Sequence, residues 1–341
     1  CPGEEGGSGK AFMAREGVFD GLDVAFAWHP MSVNAILDMS MLANYQVLYK
    51  FSGLASHAAA APDRGRSALD AVELMNVGVN FLREHVISEA RIHYAITDAG
   101  GFSPNVVQAN AGVLYLIRAP ETPQVEEIYR RVNKIAHGAA MMTETDVEIQ
   151  FIKACANVVP NKTLSRLLFE NLTVQELPAY TEEELKLARE IAGTVPKGLP
   201  EIHKFLKSHP TDRRKFSKAL EGKDLCDVVL PFYEDAPDNL LPGSSDVGDV
   251  SWIVPTAQAV TACYVPGTPE HSWQLVSQAR TSIGHKGMIL AAKVMAGGAI
   301  DVLEKPEVIA EAHEELRGRL EGKVYRTAIP GDVKPRPIGK L

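Results

Sequence analysis

The sequence predicts an α/β protein of two domains, the smaller inserted into the larger. Segments in the order β-α-β-β-α-β occupy residues 45–156, the split βαβ order of a ferredoxin-like unit. The stretches on either side, 1–44 and 157–341, also mix strand and helix patterns and read as one interrupted domain. A chain of 341 residues is also too long for one typical core and suits two of ordinary size.

The elements follow in order. GGSG leads into 10–20 (KAFMAREGVFD), where apolar side chains recur at helical spacing. Residues 22–28 (LDVAFAW) form a short apolar run suited to a buried strand, ending at His29-Pro30. Residues 44–53 alternate as a strand, and 66–86 carry a long amphipathic helix pattern. Strands are predicted at 90–98 and 105–118, joined by the turn AGGFSP, then a helix at 123–142 and a strand at 145–154. Residues 180–230 are charged and read as helices and loops, apart from a strand at 225–231. A Gly/Ser/Asp loop at 242–249, a strand at 258–265 and a long helix at 284–303 complete the chain.

Composition narrows the function classes. Hydrophobic residues at 45% supply material for packed interiors and argue against disorder. A net charge of -8 gives no electrostatic gain on nucleic acid or an anionic membrane, so neither partner is expected. No apolar run is long enough for a membrane span. The four cysteines are scattered without CxxC spacing, which fits reduced thiols and a cytoplasmic address. The chain opens as CPGEEGG without an initiator Met, so the natural protein is expected to continue upstream.

Several residues are candidates for chemistry. Adjacent carboxylates at Glu4-Glu5 could divide proton transfer and metal binding between them, or be two solvated acids favoured by a helix dipole. His29 stands where a strand meets a loop, a usual position for ligands in an open α/β sheet, though a lone histidine there is often structural. His57 lies among small residues that would let a ligand or another chain approach. His271 sits in a Gly/Pro-rich loop and His285 opens the last long helix. Asn105 could donate to a substrate oxygen or close an Asx turn. Arg118 ends a predicted strand with a planar fork suited to a carboxylate, or to nothing more than solvent.

Their order along the chain resembles a known family. GEEGG comes first, then a strand ending in His29, then G-x-x-S-H-x-x-x-x-P-x-x-G opening the inserted unit. GG-x-x-x-N-V-V, Gly-Ser-Ser-Asp and a Gly-x-Pro-x-His loop follow. This set is similar to the dinuclear metallo-amidohydrolases, which include aminoacylases, auxin-conjugate hydrolases and glutamate carboxypeptidases.

The resemblance implies a zinc-exopeptidase-like catalytic domain carrying a ferredoxin-like dimerisation domain. It implies cleavage of p-aminobenzoyl-glutamate or a similar N-acyl amino acid by metal-activated water. Glu4 matches the general base and acid, and Glu5, His29 and His271 match metal ligands. His57 and Asn105 match groups that reach into the partner subunit's site and hold the oxyanion. Arg118 falls where glutamate-specific relatives keep an arginine for the substrate carboxylate, and Asp246 matches an acidic position near the cleft. Two divalent ions, Mn or Zn, are implied for the intact enzyme, although the family's further ligands upstream of the Glu pair have no counterpart in this sequence. The expected assembly is a homodimer or a heterodimer with a homologous subunit. The alternative reading is a dipeptidase of the same family, or a non-catalytic subunit of a heteromeric amidohydrolase.

Overall fold

A computed structural model describes residues 1, 4, 7–195, 218, 220–233 and 240–336. Glu5 lies outside the described residues, as does much of the predicted helical stretch after 195.

One unit is built on a four-stranded antiparallel sheet. Its strands are β4 (Ala43–Ser52), β5 (Arg91–Asp98), β6 (Asn110–Ala119) and β7 (Asp146–Cys155), in the order β5-β6-β4-β7. Helices α2 (Ala68–Leu82) and α3 (Thr122–Thr143) supply the two crossovers. Alternation along β4 sends Tyr45, Val47, Tyr49 and Phe51 into one core with Val113, Tyr115 and Ile117 of β6. Tyr49 and Tyr115 pack edge to face at 5.6 Å. Their phenols donate to Asn133 and Asn76 at 2.7 and 2.5 Å, so neither buried hydroxyl is left unpaired. Burial raises the pKa of both tyrosines. The opposite face of the sheet therefore carries the alternate residues, among them Asn44, Gln46, Arg118 and Lys153.

The other unit has a three-stranded sheet in the order β1-β9-β2. Strand β1 (Ala25–Met31) lies parallel to β9 (Thr256–Ala262), and β2 (Ala35–Ile36) runs antiparallel on the other side. Short strands β3 (Ser40–Met41) and β8 (Leu240–Leu241) make a separate pair. Helices α4 (Lys162–Thr173) and α8 (Ser282–Glu304) pack around the buried β9 through Leu164, Leu168, Leu290 and Val294. The remaining α-helices among the described residues are α1 (Gly9–Arg15), α5 (Glu182–Ala192), α6 (Val247–Ser251), α7 (Trp273–Ala279) and α9 (Pro306–Leu320). No helix among the described residues is long and apolar enough to cross a membrane.

Four sequence expectations differ from what is observed. The helix expected over 10–20 stops at Arg15, because Gly17 takes the left-handed backbone (φ 74°) and breaks the repeat. Strand β1 runs through His29 and Pro30 instead of ending before them. Among the described strands β1 has only β9 as a neighbour, and an edge position tolerates a residue that lacks an N–H. No regular strand forms at 225–231. There the chain is pinned by buried Asn34, whose side-chain amide donates to the Cys226 and Val228 carbonyls while its backbone carbonyl accepts from Leu230 N. Strand β6 begins at Asn110 rather than 105, because Asp98 Oδ1 captures the Gly100 N–H and turns the chain first.

The two units are joined at the end of β7. Helix α6 sits against the returning chain so closely that a Cβ on Gly248 would lie 2.0 Å from the Ala156 carbonyl oxygen. That obstacle is backbone and cannot rotate away. Gly248→Ala is expected to cost at least about 1–3 kcal/mol, read as a lower urea midpoint with an unchanged slope.

Candidate active site

The junction brings together residues from distant parts of the chain. Arg118 of β6 pairs in register with Asn44 of β4, and Asn44 with Cys155 of β7, so the three share the sheet face opposite the tyrosine core, with Asn44 and Cys155 buried. Two residues along on the same face lie Gln46 and Lys153. Glu4 reaches this row from the start of the chain, its Oε1 3.1 Å from Lys153 Nζ. From the other unit, Ser244 accepts a hydrogen bond from Arg118 Nη1 at 3.3 Å.

Electrostatics follow from that crowding. Burial pulls the Arg118 guanidinium below its usual value, while the carboxylate of Glu4 and the thiol of Cys155 act to raise it. Arg118 Nε and Asn44 Oδ1 are both buried without a hydrogen-bond partner among the described residues. His93 on β5 is lowered by burial and then by Arg118, Arg83 and Arg91, so the neighbourhood favours anions over further cations.

The GSSDVGD segment of the other unit carries two buried acids. Asp246, fully buried, accepts from Lys10 N at 2.9 Å and pairs with Lys10 Nζ at 2.7 Å, locking α1 to the GSSD loop. Asp249 accepts from Ala156 N at 3.1 Å and from the Tyr325 hydroxyl at 2.8 Å. Burial pushes its pKa up to about 7, with help from Asp246, against those hydrogen bonds. A raised carboxyl pKa means the native state holds its proton where the unfolded chain has lost it. This contribution to stability is full below about pH 4 and is lost as pH rises to about 7. Asp249→Asn is expected to flatten that loss, seen as a pH 4–7 urea-stability difference between wild type and variant that shrinks toward acid pH.

The other sequence candidates fall into two places. His57 and Asn105 are close together: His57 bridges Val106, and Ala58 N donates to the Asn105 carbonyl at 2.9 Å. His57 Nδ1 accepts from Ala59 N and Ala60 N at 3.2 and 3.1 Å, which puts the proton of the neutral ring on Nε2. Asn105 Oδ1 accepts from the Ser103 hydroxyl at 2.7 Å, leaving its amide N–H groups to donate outward. Both side chains are exposed with their acceptor atoms already used. They lie beyond Ser52, however, while Arg118 is at the Asn44 end of β4. Eight residues of extended strand, roughly 26 Å, separate those ends.

His29 and His271 are exposed in the other unit. His29 Nδ1 is 2.8 Å from the Pro30 carbonyl oxygen, and donation to that oxygen would free Nε2 as a lone-pair donor, the arrangement metal-binding histidines use. His271 has left-handed backbone (φ 58°), tolerable for histidine. Among the described residues no three His, Cys, Asp or Glu side chains come together as a metal cage. His29 fits a ligand, and Glu5, the other half of the acidic pair, lies outside the described residues.

Sequence reading missed Lys153, Asn44, Ser244 and Asp249. Ser244 and Asp249 lie in the GSSDVGD string already singled out for Asp246. Lys153 and Asn44 carried no motif signal and are placed by strand register alone.

No protein-family model matches the chain. It is 48% identical over 340 residues to the B subunit of p-aminobenzoyl-glutamate hydrolase from Escherichia coli (strain K12), covering 99% of this chain and 70% of that protein. The chain belongs to the p-aminobenzoyl-glutamate hydrolase family. The chain has more distant likeness to a mouse (Mus musculus) Xaa-Arg dipeptidase, 28% identical over 94% of this chain and 62% of that protein. Among solved structures, an aminobenzoyl-glutamate utilization protein from Klebsiella pneumoniae aligns with TM-score 0.48 and 18% identity, over 85% of this chain and 57% of that one. The chain thus spans less than two thirds of the dipeptidase and of the solved structure.

Proposed function

We propose that the chain serves an amidohydrolase that cleaves p-aminobenzoyl-glutamate or a similar N-acyl amino acid. The observation that carries the reading is the contact of Glu4 with Lys153 on the sheet face that also carries Arg118. An amide resists hydrolysis because water is a weak nucleophile and the amine a poor leaving group. Glu4 takes the proton of the attacking water and returns it to the departing nitrogen. Arg118, steadied by Ser244, receives the substrate carboxylate with its Nε still unpaired.

Glu5, His29 and His271 are the proposed donors from this chain to the divalent ions, Mn or Zn. A divalent ion held there would supply a more acidic water, with a pKa of about 7, and would polarise the carbonyl.

His57 and Asn105 donate to the oxyanion of a second subunit, since the length of β4 keeps them from the Arg118 end of their own chain. The four-stranded unit is then a ferredoxin-like dimerisation domain, inserted at 45–156 between the two segments of a zinc-exopeptidase-like catalytic domain. A relative that is named as one subunit of a hydrolase supports an assembly with an identical or homologous partner. The cytoplasm is the proposed location.

The test is release of p-aminobenzoate from p-aminobenzoyl-glutamate by the full-length protein with Mn. Turnover supports the reading. Turnover of a dipeptide but not of this substrate would replace it with a dipeptidase assignment, in line with the dipeptidase likeness.

A further inference from the structure

We propose that Lys153 is a second carboxylate reader, which exchanges the carboxylate of Glu4 for the distal carboxylate of a dicarboxylic substrate. The inference rests on the amidohydrolase reading and extends it from one cation to two. Arg118 and Lys153 stand on the same face of the sheet, flanking Asn44 and Gln46. Both act on the single carboxylate of Glu4, Lys153 by direct contact and Arg118 by charge. Glu4 is thus the described carboxylate in direct contact with Lys153. Arg118 Nε is buried with no acceptor among the described residues.

An N-acyl glutamate brings two carboxylates of its own. One satisfies the Arg118 fork. The other is positioned to compete for Lys153, whose side chain is 13% exposed and therefore already largely stripped of water. A partly desolvated ammonium discriminates strongly between a charged and a neutral partner, because an unpaired cation there has little solvent to fall back on. Displacement of Glu4 from Lys153 then frees the Glu4 carboxylate to accept a proton. Substrate recognition and release of the base become one event, and neutral amino acids would leave Glu4 tethered.

The plain alternative is that Lys153 only ties the start of the chain to the sheet. A tether would not distinguish substrates by charge. The experiment compares N-acyl-glutamate with N-acyl-glutamine, matched in shape, on full-length wild type, Lys153→Met and Lys153→Arg. In Lys153→Met the kcat/KM preference for glutamate is expected to fall roughly ten- to hundredfold. The loss should be carried by KM for the glutamyl substrate, and Lys153→Arg should restore most of the preference. An unchanged preference in Lys153→Met overturns the proposal.

Binding of two inhibitors separates this outcome from failure of the hydrolase reading itself. Glutarate, with two carboxylates, should bind Lys153→Met at least about tenfold more weakly, while butyrate, with one, should lose far less. Equal losses for the two acids would also overturn the assignment, whether or not any amide is cleaved. An absence of turnover by wild type with glutarate discrimination intact would instead count against the hydrolase reading alone.

Discussion

Glu4→Gln in the full-length protein is expected to lower kcat by about 10²–10⁴-fold while substrate still binds. Glutamine keeps the size and hydrogen-bonding reach of glutamate but cannot take a proton from water or return one to the amine. Arg118 and Lys153 remain in place, so the carboxylate-reading cations are intact. Loss of the Glu4 charge beside Lys153 should tighten binding of a dicarboxylate rather than weaken it. Single-turnover kinetics with glutarate as a competitive inhibitor would show both effects. If kcat stays within a few-fold of wild type in the assembled protein, the chain is a supporting subunit rather than the carrier of chemistry.

His57→Ala is expected to cost about 10²–10³-fold in kcat, and the loss should be complemented in trans. His57 has both neighbouring N–H groups on Nδ1, so its outward Nε2–H is preset as a donor. It stands at the Ser52 end of β4, and Arg118 at the Asn44 end. A site built from Glu4 of one chain and His57 of another predicts a specific mixing result. Co-assembled Glu4→Gln and His57→Ala chains should recover activity that neither has alone, because each mixed dimer holds one site with both residues intact. Mixtures no more active than the sum of the separate variants would place His57 outside the chemistry.

Much of the four-stranded unit was legible in the sequence, because alternation over 44–53 and helical periodicity over 66–86 and 123–142 are local signals. Observed strands and helices there fall within a few residues of those expected, apart from the late start of β6. Errors arose where a side chain rather than periodicity decides the path. Buried Asn34 replaces a strand at 225–231, and Asp98 delays β6. Glu4 and Arg118 could be singled out from motif and order; Glu4 contacts Lys153, on the sheet face that carries Arg118. Lys153 could not. Its significance depends on pairing with Gln46 from more than a hundred residues away, across a β-bulge that shifts the register. Asp249 likewise is an ordinary acid until burial makes it otherwise.

The tyrosine-lined core has an optical consequence. Five of the nine tyrosines fall within the four-stranded unit, while all three tryptophans, Trp28, Trp252 and Trp273, belong to the other. Tryptophan emission therefore reports on one half of the chain. The near-ultraviolet dichroism of fixed phenol rings such as Tyr49 and Tyr115 weights the other half. Followed together during denaturation, the two signals would disclose whether the halves melt as one cooperative body or in succession, without any added dye or label.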